Sequence, residues 1–294
     1  MNNNKISQQE VVEKYFSLLN NYNEKPMYYL QINKTACRLL VRIDDIPLGY
    51  AFIQDGGESI LYPINDTLLL SGKHTIKVEV FPMSNNSAIT SDAWINIKTI
   101  YLPDKNDSLE QAITLSEEIE LPSDLASKET NYYAISCNIE VKLPFDYSER
   151  INKAKDLRDI IDLEKMVVNR YNDIREFMLN GDETDYNLER LKSTYPNCDM
   201  NYMTKEELFE SLIGGDEFNK HLIGREIAKI ENYEMIICGN GKLVMLRRKD
   251  NMDSSLYIKF YENEEYKTKN LFITTSIFVL LYMPEWSNRL EMFV

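Results

Sequence analysis

The sequence predicts an α+β fold, and three observations support this prediction. Strand-like alternation of apolar and polar residues dominates the chain up to residue 145, a helical period follows, and strand patterns return near the C-terminus. The length of 294 residues also favours two domains with separate hydrophobic cores. We place the domains at 1–145 and 146–294.

The N-terminal domain is predicted to be an antiparallel β-sandwich of the immunoglobulin-like or jelly-roll type, preceded by a short helix from Ser7 to Leu19. Alternating patterns predict about seven short strands between Met27 and Leu143. His74 shares the apolar face of its strand, beyond a Ser-Gly turn. We therefore expect a structural histidine with local hydrogen bonds, because no acid, thiol or second histidine lies nearby in the sequence.

The C-terminal domain is predicted to contain one long helix, two short helices and a four-stranded antiparallel meander. Apolar residues recur at three- and four-residue steps from Ser148 to Met178, which predicts the long helix. The short helices are expected at Asp185–Ser193 and after Thr204, where a capping box begins. Gly239-Asn240-Gly241 predicts the tight turn of the first hairpin.

Composition and charge restrict the classes of function. The chain carries 47 acidic and 33 basic residues, a net charge of -14, so its field repels phosphate backbones and anionic membranes. We expect no nucleic-acid partner and no membrane partner. The sequence shows no secretory leader and no apolar run of about 20 residues, which predicts a cytoplasmic protein.

Motifs for catalysis and for metal binding are missing from the sequence. The four cysteines are scattered without C-x-x-C spacing, and no phosphate-binding glycine loop or catalytic signature occurs. Asp44-Asp45 and the pair Asp250 and Asp253 stand where turns need Asp, and we prefer this interpretation to a calcium site. The prediction is a protein without enzymatic activity, cofactor or metal.

An acidic insertion between predicted strands, from Leu102 to Thr130, is the most suggestive functional segment. Long structureless connections in compact domains are either functional or disordered, so a solvated connection and a partner-binding loop both remain open. A partner-binding loop would steer a basic protein toward the chain, and exposed aromatic side chains would anchor it.

The apolar C-terminal tail either packs back on the sheet or belongs to a contact surface. The candidate partner-binding residues are Asp104, Asp107, Glu110, Glu117, Glu118, Glu120 and Trp286.

Two other functions stay open. A carbohydrate-binding protein would present Trp94 to sugars, as sandwich domains often do with tryptophan. A small-molecule enzyme would use His221 as acid or base in a pocket lined by Tyr202 and Tyr233, similar to the active site of a small isomerase or hydrolase.

The segments CRLLVRIDDIPL, at 37–48, and PINDTLLLSGKHTIKVEVFP, at 63–82, resemble the opening sandwich of a group of largely uncharacterised bacterial immunity-type proteins. The resemblance covers about a third of the chain. It implies a protein that binds and neutralises a cognate bacterial toxin, and the acidity of the chain favours a basic secreted one. The C-terminal half is similar to cystatin-like or nuclear-transport-factor-like folds, which host enzymes and binding modules alike.

Overall fold

The computed structural model describes residues 7–49, 52–179, 183–211 and 222–293. The helices are α1 (Gln8–Phe16), α2 (Glu149–Asn152), α3 (Leu163–Leu179), α4 (Glu183–Met200), α5 (205–211) and α6 (Glu264–Thr268). The strands are β1 (Met27–Thr35), β2 (Cys37–Ile43), β3 (Ile46–Pro47), β4 (Glu58–Pro63), β5 (Gly72–Pro82), β6 (Trp94–Leu102), β7 (Ile113–Thr114), β8 (Ile119–Glu120), β9 (Tyr133–Val141), β10 (Ile223–Ile227), β11 (Tyr233–Cys238), β12 (Leu243–Arg248), β13 (Tyr257–Tyr261), β14 (Ile273–Ser276), β15 (Leu281–Tyr282) and β16 (Glu291–Met292). All described sheets are antiparallel, and the predicted α+β class is confirmed.

Two antiparallel sheets in the N-terminal half share one hydrophobic cluster. The first sheet has the order β4-β1-β6-β7, with β8 also on β6, and the second has the order β3-β2-β5-β9. Apolar residues at alternate positions of the strands face inward, among them Leu30, Ile32, Leu39, Ile76 and Ile97. Burying these side chains is the main stabilising term for such a pair of sheets.

Helix α3 covers one of the two sheets of the C-terminal half, the one with the order β11-β12-β15-β16. Val167, Tyr171 and Ile174 are buried on the helix face that packs against this sheet. The Tyr171 hydroxyl donates to the Val279 carbonyl oxygen at 2.6 Å and accepts from the Leu246 N–H at 2.9 Å. Helix and sheet are thus tied by buried hydrogen bonds as well as by apolar packing.

The long helix begins at Leu163, later than the apolar period from Ser148 predicts. The segment before it forms the short helix α2 and a 3₁₀ turn at Leu157–Asp159. Asp162 has a φ of 58°, which a helix interior does not accommodate, and it separates the turn from α3.

Helix α4 runs through Pro196 to Met200, beyond the predicted end at Ser193. Proline lacks an N–H and normally interrupts a helix. The Arg150 guanidinium donates to the Ser193 carbonyl oxygen at 2.9 Å and to Asn197 Oδ1 at 3.0 Å, which supports the helix around the proline.

The predicted meander has antiparallel strands, but they divide between two sheets. Strand β13 pairs with β10 and β14 in a separate sheet of order β10-β13-β14, and it does not pair with β12. The reason is the loop at 249–256, which is too long for a tight hairpin and is held by Ser254, whose hydroxyl donates to the Ile277 carbonyl oxygen at 2.6 Å. The chain then crosses from β14 to β15 through residues 277–280.

The N-terminal and C-terminal halves are in close contact. The domain boundary predicted between residues 145 and 146 stays a prediction. The hydrophobic cluster of the sandwich continues into Met200, Cys238, Leu243 and Phe293. The C-terminal tail packs back on its sheet as β16. Among the described residues, no helix has both the length and the apolar character needed to cross a bilayer.

Candidate functional site

The acidic insertion is folded onto the edge of the first sheet. Strands β7 and β8 both pair with β6, with Ile100 opposite Thr114 and Ile97 opposite Ile119. A 3₁₀ turn at Leu109–Gln111 precedes β7. The expectation of a structureless connection is therefore wrong for this part of the insertion, because its apolar residues supply pairing and packing positions such as the buried Ile119.

The six predicted acidic residues differ in their surroundings. Glu110, Glu117, Glu118 and Glu120 are exposed, whereas Asp104 and Asp107 are half-buried. Asp107 Oδ2 accepts from the Asp104 N–H at 2.9 Å, and Asp104 Oδ1 accepts from the Asn106 N–H at 2.9 Å. The two aspartates thus hold the turn. Glu110, Glu117 and Glu120 present carboxylates to solvent, whereas the Glu118 carboxylate accepts from Asn96 Nδ2 at 2.6 Å and lies 3.7 Å from Lys98 Nζ.

Three aliphatic side chains stand among these carboxylates. Leu109 is 60% exposed, Ile113 49% and Leu115 39%. Exposed apolar residues grouped in one segment are characteristic of contact surfaces. We call this group the acidic surface; it comprises Asp104, Asp107, Leu109, Glu110, Ile113, Leu115, Glu117, Glu118 and Glu120.

Trp286 lies on the connection between β15 and β16, in the C-terminal half. Its side chain is 78% exposed, although the tail that follows it is packed. Within the described residues, Trp286 forms no hydrogen bond, ion pair or ring contact with the acidic surface. Trp94, the residue considered for sugar binding, is half exposed at the start of β6, opposite Thr35 on β1.

The structure does not bring Tyr202 and Tyr233 together. Tyr202 is buried in the sandwich cluster, with its ring centroid 5.5 Å from that of Tyr22 and 6.0 Å from that of Phe145. Tyr233 begins β11 and packs against the cluster beneath α3. His221, the third residue of the predicted pocket, lies outside the described residues.

The cysteines are free, and their environment makes them weak nucleophiles. Burial raises the pKa of Cys37 and Cys198 to about 11 and that of Cys238 to about 12. A thiol with such a pKa is almost entirely protonated near neutral pH.

His74 has a partner that its sequence neighbourhood does not reveal. Its Nδ1 lies 2.5 Å from Asp44 Oδ2 and its Nε2 lies 2.9 Å from the Leu70 carbonyl oxygen. Burial opposes the charge on the ring, but the hydrogen bonds to these two acceptors outweigh it and raise the pKa of His74. Hydrogen bonds from His74 and the Thr75 N–H likewise outweigh partial burial and lower the pKa of Asp44. Both ring nitrogens face acceptors and the ring is buried, so His74 makes the local hydrogen bond expected of it, to Leu70, and a second one to Asp44 that the sequence does not indicate.

Asp45, the second residue of the same turn, connects the sandwich to the C-terminal hairpin. Its carbonyl oxygen accepts from the Gly239 N–H at 3.1 Å, and its Oδ2 accepts from the Asn240 N–H at 3.0 Å. Asn240 has a φ of 54°, and Gly239 and Gly241 have 57° and 91°, as the predicted tight turn requires.

Within the part of the chain that the structure describes, no group of three or more His, Cys, Asp or Glu residues could hold a metal ion.

Asp199 forms a buried polar cluster that sequence reasoning missed. Its carboxylate accepts from the Asn20 N–H and the hydroxyls of Tyr22 and Tyr147, each at 2.6 Å, and from Asn20 Nδ2 at 2.9 Å. Burial and the nearby carboxylate raise the pKa of Tyr22 to about 12 and also raise that of Tyr147. With four donors around it, Asp199 has the satisfied environment of a structural anchor that joins α4 to the segment after α1 and to the segment before α2.

A cavity of about 600 Å³ lies between the outer face of β2 and the C-terminal sheets. It is lined by four of the eleven arginines of the chain, and their side chains are only 11 to 19% exposed. Such a concentration of guanidinium groups contrasts with the overall negative charge. We call this cavity the arginine cleft, after Arg38, Arg42, Arg247 and Arg248.

Each arginine of the cleft has a carboxylate nearby. Arg42 Nε donates to Glu79 Oε2 at 3.1 Å, and Arg248 Nη2 donates to Asp253 Oδ2 at 3.2 Å. The Arg248 guanidinium also lies 4.3 Å from the centroid of the Tyr257 ring. These contacts fix the orientation of the guanidinium groups.

Comparisons with protein-family models, with curated proteins and with solved structures found no match to this chain.

Proposed function

We propose that this chain is a non-enzymatic binding protein whose acidic surface docks a basic protein. The observation that carries the proposal is the exposure of Leu109, Ile113 and Leu115 among the carboxylates of an insertion that is folded onto β6. Apolar side chains at the centre of a polar rim have the composition of a protein interface.

The pairing of β7 and β8 with β6 favours binding because it fixes the backbone before a partner arrives. A preformed surface loses less conformational entropy on association than a disordered loop. The aliphatic side chains would supply buried apolar area, and the exposed glutamates would surround it.

Charge favours a basic partner. The chain has a net charge of -14, and Glu110, Glu117, Glu118 and Glu120 add a local negative field at the docking surface. Opposite potentials raise the association rate and disfavour acidic competitors, and added salt screens both effects. The same field disfavours nucleic acids and anionic membranes as partners.

The partner we propose is a secreted bacterial toxin with a basic surface, neutralised by direct binding in the cytoplasm of the protected cell. The resemblance of segments 37–48 and 63–82 to immunity-type proteins supports this choice. Under this proposal the chain needs no catalytic group, since covering the toxin is sufficient for neutralisation.

The test is affinity capture from a lysate of the native host with the wild-type chain and with the triple variant Leu109→Ser, Ile113→Ser, Leu115→Ser. We expect a stoichiometric basic protein that the triple variant does not retain and that leaves the wild-type chain more readily at high salt. The control is Leu271→Ser, Phe272→Ser, which changes two comparably exposed apolar residues on another surface. Equal capture by the triple variant, or loss of capture only in the control, would contradict the proposal.

A further inference from the structure

The arginine cleft is separate from the acidic surface, and the proposed function does not use it. Its volume of about 600 Å³ is in the range of small-molecule sites. One wall comes from β2 of the sandwich and the other from β12, the loop at 249–256 and β14. Both walls contribute arginines, so the cleft offers guanidinium groups from two sides.

Two of the arginines retain donors for a ligand. Arg38 Nε donates to the Pro82 carbonyl oxygen at 2.7 Å and lies 3.9 Å from Asp55 Oδ1. Arg247 Nε donates to Glu234 Oε1 at 2.6 Å. Within the described residues, the terminal nitrogens of both guanidinium groups form no hydrogen bond. These terminal nitrogens form the planar fork that binds carboxylate and phosphate oxygens in pairs.

Arg248 provides a second, independent observation. Its Nε is buried and has no hydrogen-bond partner among the described residues, although its Nη2 is bound to Asp253. Buried donors of folded proteins are nearly always satisfied by protein, water or a ligand. An acceptor oxygen that reaches this nitrogen from the cleft would satisfy the donor.

We propose that the arginine cleft binds a small organic oxyanion, a metabolite that carries a phosphate or carboxylate group beside an apolar portion. The apolar portion is matched by Leu40, Met245 and Phe278, which line the same cavity. Asp55 and Asp253 also line it, and Asp45, Glu79 and Glu234 pair with its arginines, so carboxylates balance the guanidinium charges. This composition selects a ligand of low charge over a polyphosphate.

The proposal is tested by isothermal titration of the full chain at constant ionic strength. The phosphate probes are phenyl phosphate and AMP, and the carboxylate probes are benzoate and 3-phenylpropionate. We expect at least one probe to bind with a Kd below about 1 mM, and the class that binds identifies the anionic group. Arg38→Gln and Arg247→Gln should each weaken this binding about tenfold or more, because each removes a charged hydrogen-bonding fork.

Two further variants separate recognition from folding and from general charge. Arg247→Lys keeps the charge and loses the fork, so we expect a several-fold loss of affinity with the fold retained. Lys267→Gln removes a positive charge on α6, outside the cleft, and should bind as the wild type does. The proposal is overturned if no probe binds below about 1 mM, or if the Arg38 and Arg247 variants bind as tightly as the wild type.

Discussion

The acidic surface and the arginine cleft differ in how their charges are arranged, and the fold builds them in different ways. The acidic surface comes from one segment, 104–120, and its glutamates are exposed. The cleft joins β2 to β12, some two hundred residues apart in the sequence, and its arginines are mostly buried and paired with carboxylates. A local, exposed surface tolerates substitution without loss of stability, whereas a buried assembly of charges does not.

The largest effect is expected from Asp253→Ala in the cleft. Asp253 accepts from Arg248, from the Ser276 hydroxyl at 2.5 Å and from the Ser254 N–H at 2.7 Å. Its removal leaves a guanidinium group and two further donors without an acceptor, and we expect the free energy of unfolding to fall by about 3 kcal/mol. Urea unfolding followed by circular dichroism measures the loss.

Asp250→Ala is the matched control for this substitution, because Asp250 is exposed in the same loop. We expect the free energy of unfolding to change by less than about 0.5 kcal/mol in this variant. Equal effects of the two substitutions would remove the proposed contrast between the cleft and an exposed surface.

The next effect concerns the apolar part of the acidic surface. In the triple variant Leu109→Ser, Ile113→Ser, Leu115→Ser we expect the affinity for the purified partner to fall about 100-fold, because the apolar centre of the interface is lost. The free energy of unfolding should change by less than about 1 kcal/mol, since all three side chains are already exposed. Isothermal titration and urea unfolding measure the two quantities. A variant that unfolds as readily as Asp253→Ala would show that these side chains are structural.

A smaller effect is expected from neutralising the carboxylates. The variant Glu117→Gln, Glu118→Gln, Glu120→Gln should associate about tenfold more slowly with the partner at low salt, and the difference should vanish at high salt. Stopped-flow measurement of the association rate tests this expectation. The control Glu262→Gln, Glu264→Gln, Glu265→Gln makes the same change in net charge at exposed positions around α6. Equal slowing in both variants would assign the steering to net charge alone.

The smallest effect is a pH dependence of stability at the Asp44–His74 pair. The folded pKa of His74 is raised above its ordinary 6.5, so the stabilisation is complete below pH 6.5 and is lost as the pH rises through the folded value. The folded pKa of Asp44 is lowered from its ordinary 3.8, so its contribution is complete above pH 3.8 and is lost as the pH falls through the folded value. The pair therefore stabilises the fold most between these two values, and the charge of Glu140 on β9 adds to the effect on His74.

Urea unfolding of the wild type and of His74→Asn at pH 5.5 and pH 8.5 measures this dependence. The difference in free energy of unfolding between the two proteins should be larger at pH 5.5 than at pH 8.5. A His74→Asn difference that does not vary between the two pH values would contradict the assignment of a charged His74.

Local patterns in the sequence were sufficient to predict many of the elements. The alternation of His74, Ile76, Val78 and Val80 predicts β5, because side chains of period two bury one face. The segment Gly239-Asn240-Gly241 predicts a turn with positive φ, which needs no information from the rest of the chain.

The pairings between distant segments could not be predicted in this way. The register that sets Ile43 opposite Ile76 also brings Asp44 to His74, and nothing near either residue in the sequence indicates it. The arginine cleft has the same origin. Arg38 and Arg42 project from the outer face of β2, as the alternation predicts, but the second wall depends on how the C-terminal sheets pack against that face.

The most direct test of docking on the acidic surface is amide hydrogen exchange of the chain with and without its purified partner. We expect new protection at residues 109–120 and none at residues 249–256 and 273–276, which border the arginine cleft. Protection at the cleft segments with unchanged exchange at 109–120 would contradict the proposed docking surface and would move the protein-binding function to the cleft.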